Sequence, residues 1–138
     1  MSGFDMARLT DIFGGDLVHD DAKASTSLSH SFGEEAFLDG HFPGFPVVPG
    51  VILLDGMMLA GLHNLERATG RSGAAVRSVA VEAVTFHRPV MPGCAVRFTA
   101  RRDGEAGDGR FAVRCAAMID NVRHARASMS FCFHDHQS

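Results

Sequence analysis

The rhythm of apolar and polar positions changes several times along the chain. Residues 4–13 place Phe4, Leu9, Ile12 and Phe13 at roughly helical spacing and predict a short amphipathic helix. ASTSLSHSF, residues 24–32, is small and hydroxylated and predicts a strand. From Pro49 the pattern is helical again. Pro49-Gly50 makes a good start, and Arg67 followed by Gly70 makes a good stop. Between them Val51, Ile52, Leu53, Leu54, Met57, Met58, Leu59, Leu62 and Leu65 cover nearly every side. A helix that is apolar all round must be wrapped by other elements.

The rest of the chain supplies the wrapping. Strands are predicted over residues 76–87, 94–102, 110–119 and 122–133. Val96, Phe98 and Ala100 alternate with Arg97, Thr99 and Arg101. Phe111, Val113, Cys115 and Ala117 alternate with Ala112, Arg114 and Ala116, and Ala125, Ala127, Met129, Phe131 and Phe133 with His124, Arg126, Ser128 and Ser130. One buried and one wetter face is the mark of an antiparallel sheet. The turn-rich DGEAGDG and the pair Asp120-Asn121 separate the last three strands. The pattern therefore predicts an α+β chain: an antiparallel sheet of about five strands curled around one long apolar helix. Residues 1–138 are expected to form one domain, the last few as a flexible tail.

Composition narrows the setting. With 138 residues, 46% hydrophobic and 21% charged, the chain is long enough to bury a core without disulfide or metal. The most apolar stretch, Phe42 to Leu62, contains three prolines and Asp55, so no membrane span is expected. No basic region followed by an apolar core opens the sequence, so no signal peptide is visible. The net charge of −3 argues against general nucleic-acid binding. It hides an asymmetry: residues 1–60 carry nine acids and two bases, residues 61–138 seven acids and eleven bases. Twelve of the thirteen bases are Arg, which suits either a solvated strand face or docking of an acidic or phosphate-bearing partner. Three widely spaced cysteines, Cys94, Cys115 and Cys132, fit reduced thiols in a cytoplasm.

Candidate chemistry lies in Gly40-His41-Phe42-Pro43-Gly44-Phe45-Pro46-Val47-Val48-Pro49-Gly50, where three prolines and three glycines make a stiff loop. The loop ends at a helix start, where the Gly50 and Val51 amides lack intrahelical partners and can polarise a carbonyl. Asp55 follows among Leu54, Met57 and Met58, where desolvation favours its protonated form. His41 offers a base that titrates near neutrality. Base, carbonyl stabiliser and acid are what proton removal beside a thioester carbonyl and loss of a hydroxyl require. His63 and His87 read as structural contacts, and His134-Asp135-His136 as a frayed tail; no metal is assigned.

GHFPGFPVVPGVILLDGM resembles the signature of the 3-hydroxyacyl-[acyl carrier protein] dehydratases, which have the hot-dog fold. The likeness extends through EEAFLD upstream and FHRPVMPG downstream, and the HFPGFPVVPGV form is similar to the specialised dehydratases of aryl polyene pathways. The resemblance implies His41 as base, Asp55 as acid and the Gly50 amide, beside that of Val51, as donor to the thioester carbonyl. It implies a homodimer or higher homo-oligomer with sites at the subunit interface, an acyl carrier protein as partner, and no cofactor. Phe45, Val48, Met58 and Phe86 are then candidates for the acyl tunnel, and Arg88, Arg97, Arg101 and Arg102 for carrier-protein docking. The chain departs from the pattern at Leu59, where the family has Gln, at Cys94, where an acid is usual, and in having no Tyr for a tunnel gate. Asp55 matches the dehydratase/isomerase branch rather than the common Glu. A hot-dog thioesterase and a non-catalytic acyl-binding partner of an active dehydratase are the alternatives.

Overall fold

The computed structural model describes residues 13, 15–33, 47–106 and 109–134, with backbone alone at 104–106. The expected helix over 4–13 (apart from Phe13), His41, Phe45 and the tail beyond His134 lie outside the described residues.

Six strands form one antiparallel sheet: β1 (Leu17–Asp20), β2 (Ser25–Ser31), β3 (Val76–Phe86), β4 (Ala95–Ala106), β5 (Arg110–Ile119) and β6 (Val122–Phe133). Their order across the sheet is β1-β2-β4-β5-β6-β3. One helix, α1 (Gly50–Thr69), packs along the inner face. The architecture is the expected one, with six strands rather than about five. The addition is β1, too short and too exposed to show an alternation. It is held by its register on β2, from Leu17 opposite Leu28 to Asp20 opposite Ser25.

The helix ends as its residues dictate. Gly70 takes the left-handed conformation (φ 72°) and donates its N–H to the Glu66 carbonyl at 2.9 Å. At the other end Pro49 is the N-cap and offers no side-chain acceptor. The β5–β6 hairpin turns through Asp120 and Asn121, both at positive φ, the requirement of a tight hairpin turn. In contrast, β4 runs on through Ala106 into the segment expected to be a turn. A register shift between Arg102 and Glu105 absorbs Asp103-Gly104, after which pairing resumes at Glu105 opposite Phe111.

The core lies between α1 and the inner face. Val96, Phe98 and Ala100 of β4, Val113, Cys115 and Ala117 of β5, and alternate residues from Ala125 to Phe133 of β6 are buried there. Each large side chain so buried contributes roughly 1.5–3 kcal/mol. Two helical glycines set how closely sheet and helix approach. A Cβ on Gly56 would lie 2.5 Å from the Phe98 ring, and one on Gly61 would lie 2.9 Å from that of Phe131. One polar cluster is embedded nearby. Asn64, 1% exposed, donates to the Ala24 carbonyl at 3.0 Å and to Thr26 Oγ1 at 3.1 Å. Arg102 Nη1 donates to Asn64 Oδ1 at 3.1 Å, and Thr26 Oγ1 meets His19 Nδ1 at 2.7 Å. These bonds satisfy groups whose unpaired burial would cost about 1–3 kcal/mol each.

Candidate active site

The amino end of α1 is built from three segments that the chain brings together from a distance. Val47, Val48 and Pro49 lead into the helix, and the Val48 N–H donates to the Val90 carbonyl at 2.8 Å, with both side chains buried. That bond ties the entry loop to the Pro-rich turn after β3. The end of β3 contributes Phe86, whose ring covers Gly50: a Cβ there would come within 3.0 Å of the ring. The glycine is therefore needed for close approach. Sequence reasoning missed Val90 as the anchor; its place between Pro89 and Pro92 is the signal that could have marked a fixed turn.

Helical bonding begins with the Ile52 and Leu53 N–H groups, which donate to the Pro49 carbonyl at 3.0 and 3.3 Å. The amides of Gly50 and Val51 precede that ladder and carry the positive end of the helix. Val51 is 63% exposed, and Asp55, one turn further along the same stripe, is half-buried beside half-buried Leu54 and Met58. The sheet covers the opposite side of the helix, where Leu53, Met57 and Leu59 are buried. Leu59, standing at the resembling family's Gln position, is thus a core residue. Among the described strands β3 forms the edge of the sheet, and its Val81, Val84 and Phe86 are 40%, 40% and 49% exposed.

The structure brings Phe86 onto Gly50 at the start of α1, above an entry loop whose Val48 is buried, while Val51, Asp55 and Met58 follow along the next two turns of the helix. The four arginines expected to dock a partner do not share a face. Arg97 and Arg101 lie on the exposed outer side of β4. Arg102, the next residue, turns inward to Asn64, because neighbours along a strand point oppositely. Arg88 is exposed in the turn after β3, its N–H on the His124 carbonyl at 3.2 Å.

Among the described residues, one antiparallel sheet wraps around one long helix whose start lies a turn from a carboxylate, and this defines a hot-dog-fold protein. Solved structures agree on the fold: the PaaI protein of E. coli superposes with a TM-score of 0.70 at 16% identity, over 93% of this chain and 89% of that one. The dehydratase heterocomplex ApeI:P of Xenorhabdus doucetiae gives a TM-score of 0.62 at 18% identity, over 86% and 97%. Within that fold the chain belongs to the ApeI-like dehydratases, whose family model matches residues 19–126. It is 34% identical over 121 residues to the 3-hydroxyacyl-[acyl-carrier-protein] dehydratase FabZ of Thermus thermophilus, covering 83% of this chain and 81% of that protein. The chain is therefore an enzyme of the dehydratase class.

Proposed function

We propose that the chain dehydrates 3-hydroxyacyl thioesters carried on acyl carrier protein to trans-2-enoyl thioesters, in fatty acid or aryl-polyene-type biosynthesis. The observation that carries this is Asp55, half-buried one turn from the open amides of Gly50 and Val51 in a chain of the dehydratase family. In this reading the thioester carbonyl accepts hydrogen bonds from the helix start, which stabilises the enolate oxygen as the α-proton leaves. His41 takes that proton as general base. Asp55, protonated, gives its proton to the departing hydroxyl and releases water. Met58, Val48, Phe45 and Phe86 line the acyl chain's path.

The site is completed by a second copy. The Val51–Asp55–Met58 stripe and the edge of β3 both lie open on one side, and pairing of two β3 edges would cover them. His41 and Asp55 then come from different subunits of a homodimer. The three cysteines are unpaired, in keeping with a cytoplasmic, single-domain enzyme. No helix of the described residues is long and apolar enough to cross a membrane.

The test is hydration of crotonyl and longer enoyl thioesters on acyl carrier protein and on coenzyme A, followed by absorbance. His41→Ala is expected to abolish turnover, and Asp55→Asn to cut it by about 100-fold or more, the usual scale of a lost general acid. Near-normal rates in either variant would reject the assignment. Release of free thiol instead of a hydrated product would reveal a thioesterase.

A further inference from the structure

The outer face of the sheet, opposite α1, holds a groove of about 550 Å³ that the dehydratase site does not use. Its origin is visible in the strand register. Arg101 stands opposite Arg114, and Arg114 opposite Ser128. In the next row Thr99 stands opposite Ala116, Ala116 opposite Arg126, and Arg126 opposite Thr85. Small residues at Ala83, Ala116 and Ser128 leave a floor, and Arg114, Arg123 and Arg126 rise around it. No carboxylate among the described residues lines the groove. Asp103 reaches Arg114 from the side, its Oδ2 accepting from Arg114 Nε at 2.6 Å, which leaves the terminal nitrogens of Arg114 without a bond among the described residues. The guanidinium groups of Arg101, Arg123 and Arg126 make no hydrogen bond or ion pair among the described residues, and that of Arg97 has only Asn121 Oδ1 at 3.4 Å.

Arg101 and Arg114 stand directly opposite each other, and like charges so placed destabilise an antiparallel pair. Of the carboxylates on this face, Asp103 reaches Arg114, and Asp20 lies further off, beyond Ser25 and Arg101. The same charges oppose a symmetric sheet-on-sheet contact with another copy, since arginines would meet arginines. They favour an anion. The groove has the size of a small-ligand site but no aromatic or large aliphatic wall, so charge and hydrogen-bond acceptance must do the recognition. Adjacent strands are about 4.8 Å apart and diagonal neighbours about 7–8 Å, so the arms of Arg114, Arg123 and Arg126 can converge on two linked phosphates while Thr85, Thr99 and Ser128 donate hydroxyls. We propose that this outer groove is a binding site for a diphosphate group, a chemistry shared by inorganic diphosphate, nucleoside diphosphates and the nucleotide end of coenzyme A. The pairing of β3 edges leaves it open, because it extends the sheet in its own plane.

The test is calorimetric titration of the intact protein at fixed ionic strength with inorganic diphosphate, ADP and coenzyme A in separate arms. Saturable binding of diphosphate is expected, weakened at least tenfold by Arg126→Ala and by Arg114→Ala, and only slightly by Arg77→Ala, which removes the same charge outside the groove. Dehydratase turnover should be unchanged in all three variants, provided circular dichroism shows them folded. Tighter binding of ADP or of coenzyme A than of diphosphate identifies the physiological source. Equal loss in Arg77→Ala would show diffuse electrostatics only, and no saturable binding would remove the site. If Arg126→Ala instead abolishes capture of an acidic carrier protein while diphosphate does not bind, the groove is a protein-docking face and the proposal fails.

Discussion

Single residues on this molecule carry distinct loads, and glycine shows it most directly. Gly56 has no space for a methyl group, because the Phe98 ring that would meet it is fully buried and cannot swing aside. Gly56→Ala is expected to destabilise the fold by about 1–3 kcal/mol, read as a lower denaturant midpoint at unchanged slope. His19 carries a different load. Burial lowers its pKa below 6.5, and Arg67 and His63 push the same way, while Asp21 and Glu66 oppose them. The folded protein therefore resists protonating His19 more than the unfolded chain does. Above about pH 6.5 both states hold it neutral and stability is unaffected; as the pH falls below that, the unfolded chain takes up the proton first and stability drops. Thermal midpoints measured between about pH 7 and about pH 5 should fall less steeply in His19→Gln than in the parent.

Elements were legible in the sequence where one face is buried and the other wet. The helix from Gly50 to Thr69 follows its long apolar run, and β4, β5 and β6 follow the alternation of their residues, because burial on one side alone imposes that pattern. β3, in contrast, is exposed along nearly its whole length and shows none. β1 was not legible, since all four of its residues are exposed or half-buried. The end of β4 was hidden because Gly-rich sequence suggests a turn, while a register shift in fact carries it through. Of the site, the loop block and Asp55 were legible as motif and spacing. The approach of Phe86 to Gly50 was not, as it depends on the far end of β3 folding back onto the helix. Nor was the arginine groove, whose members are dispersed along the strands and align only through register. β3 also carries a prediction at this scale. Its free edge exposes Val84 at 40%, and a lysine there would disfavour edge pairing. Val84→Lys should shift the protein from dimer to monomer in sedimentation velocity and lose most activity while keeping its circular dichroism; an intact dimer would place the interface elsewhere.

The whole molecule divides its work between the two faces of one sheet. The inner face grips α1 and aims its amino end outward, beside a carboxylate and an open strand edge. The outer face gathers positive charge away from that chemistry. In the proposed dimer the second copy is part of the enzyme rather than an accessory, because each chain would supply one member of each catalytic pair. The most direct measurement is complementation in a purified heterodimer, made by co-expressing a His41→Ala chain and an Asp55→Asn chain under different tags. Each parent homodimer is expected to be inactive. The heterodimer has one site with both groups intact and one with neither, so it should recover about half of the unmutated protein's rate per dimer. A heterodimer as inactive as both homodimers would contradict a site shared across the subunit boundary.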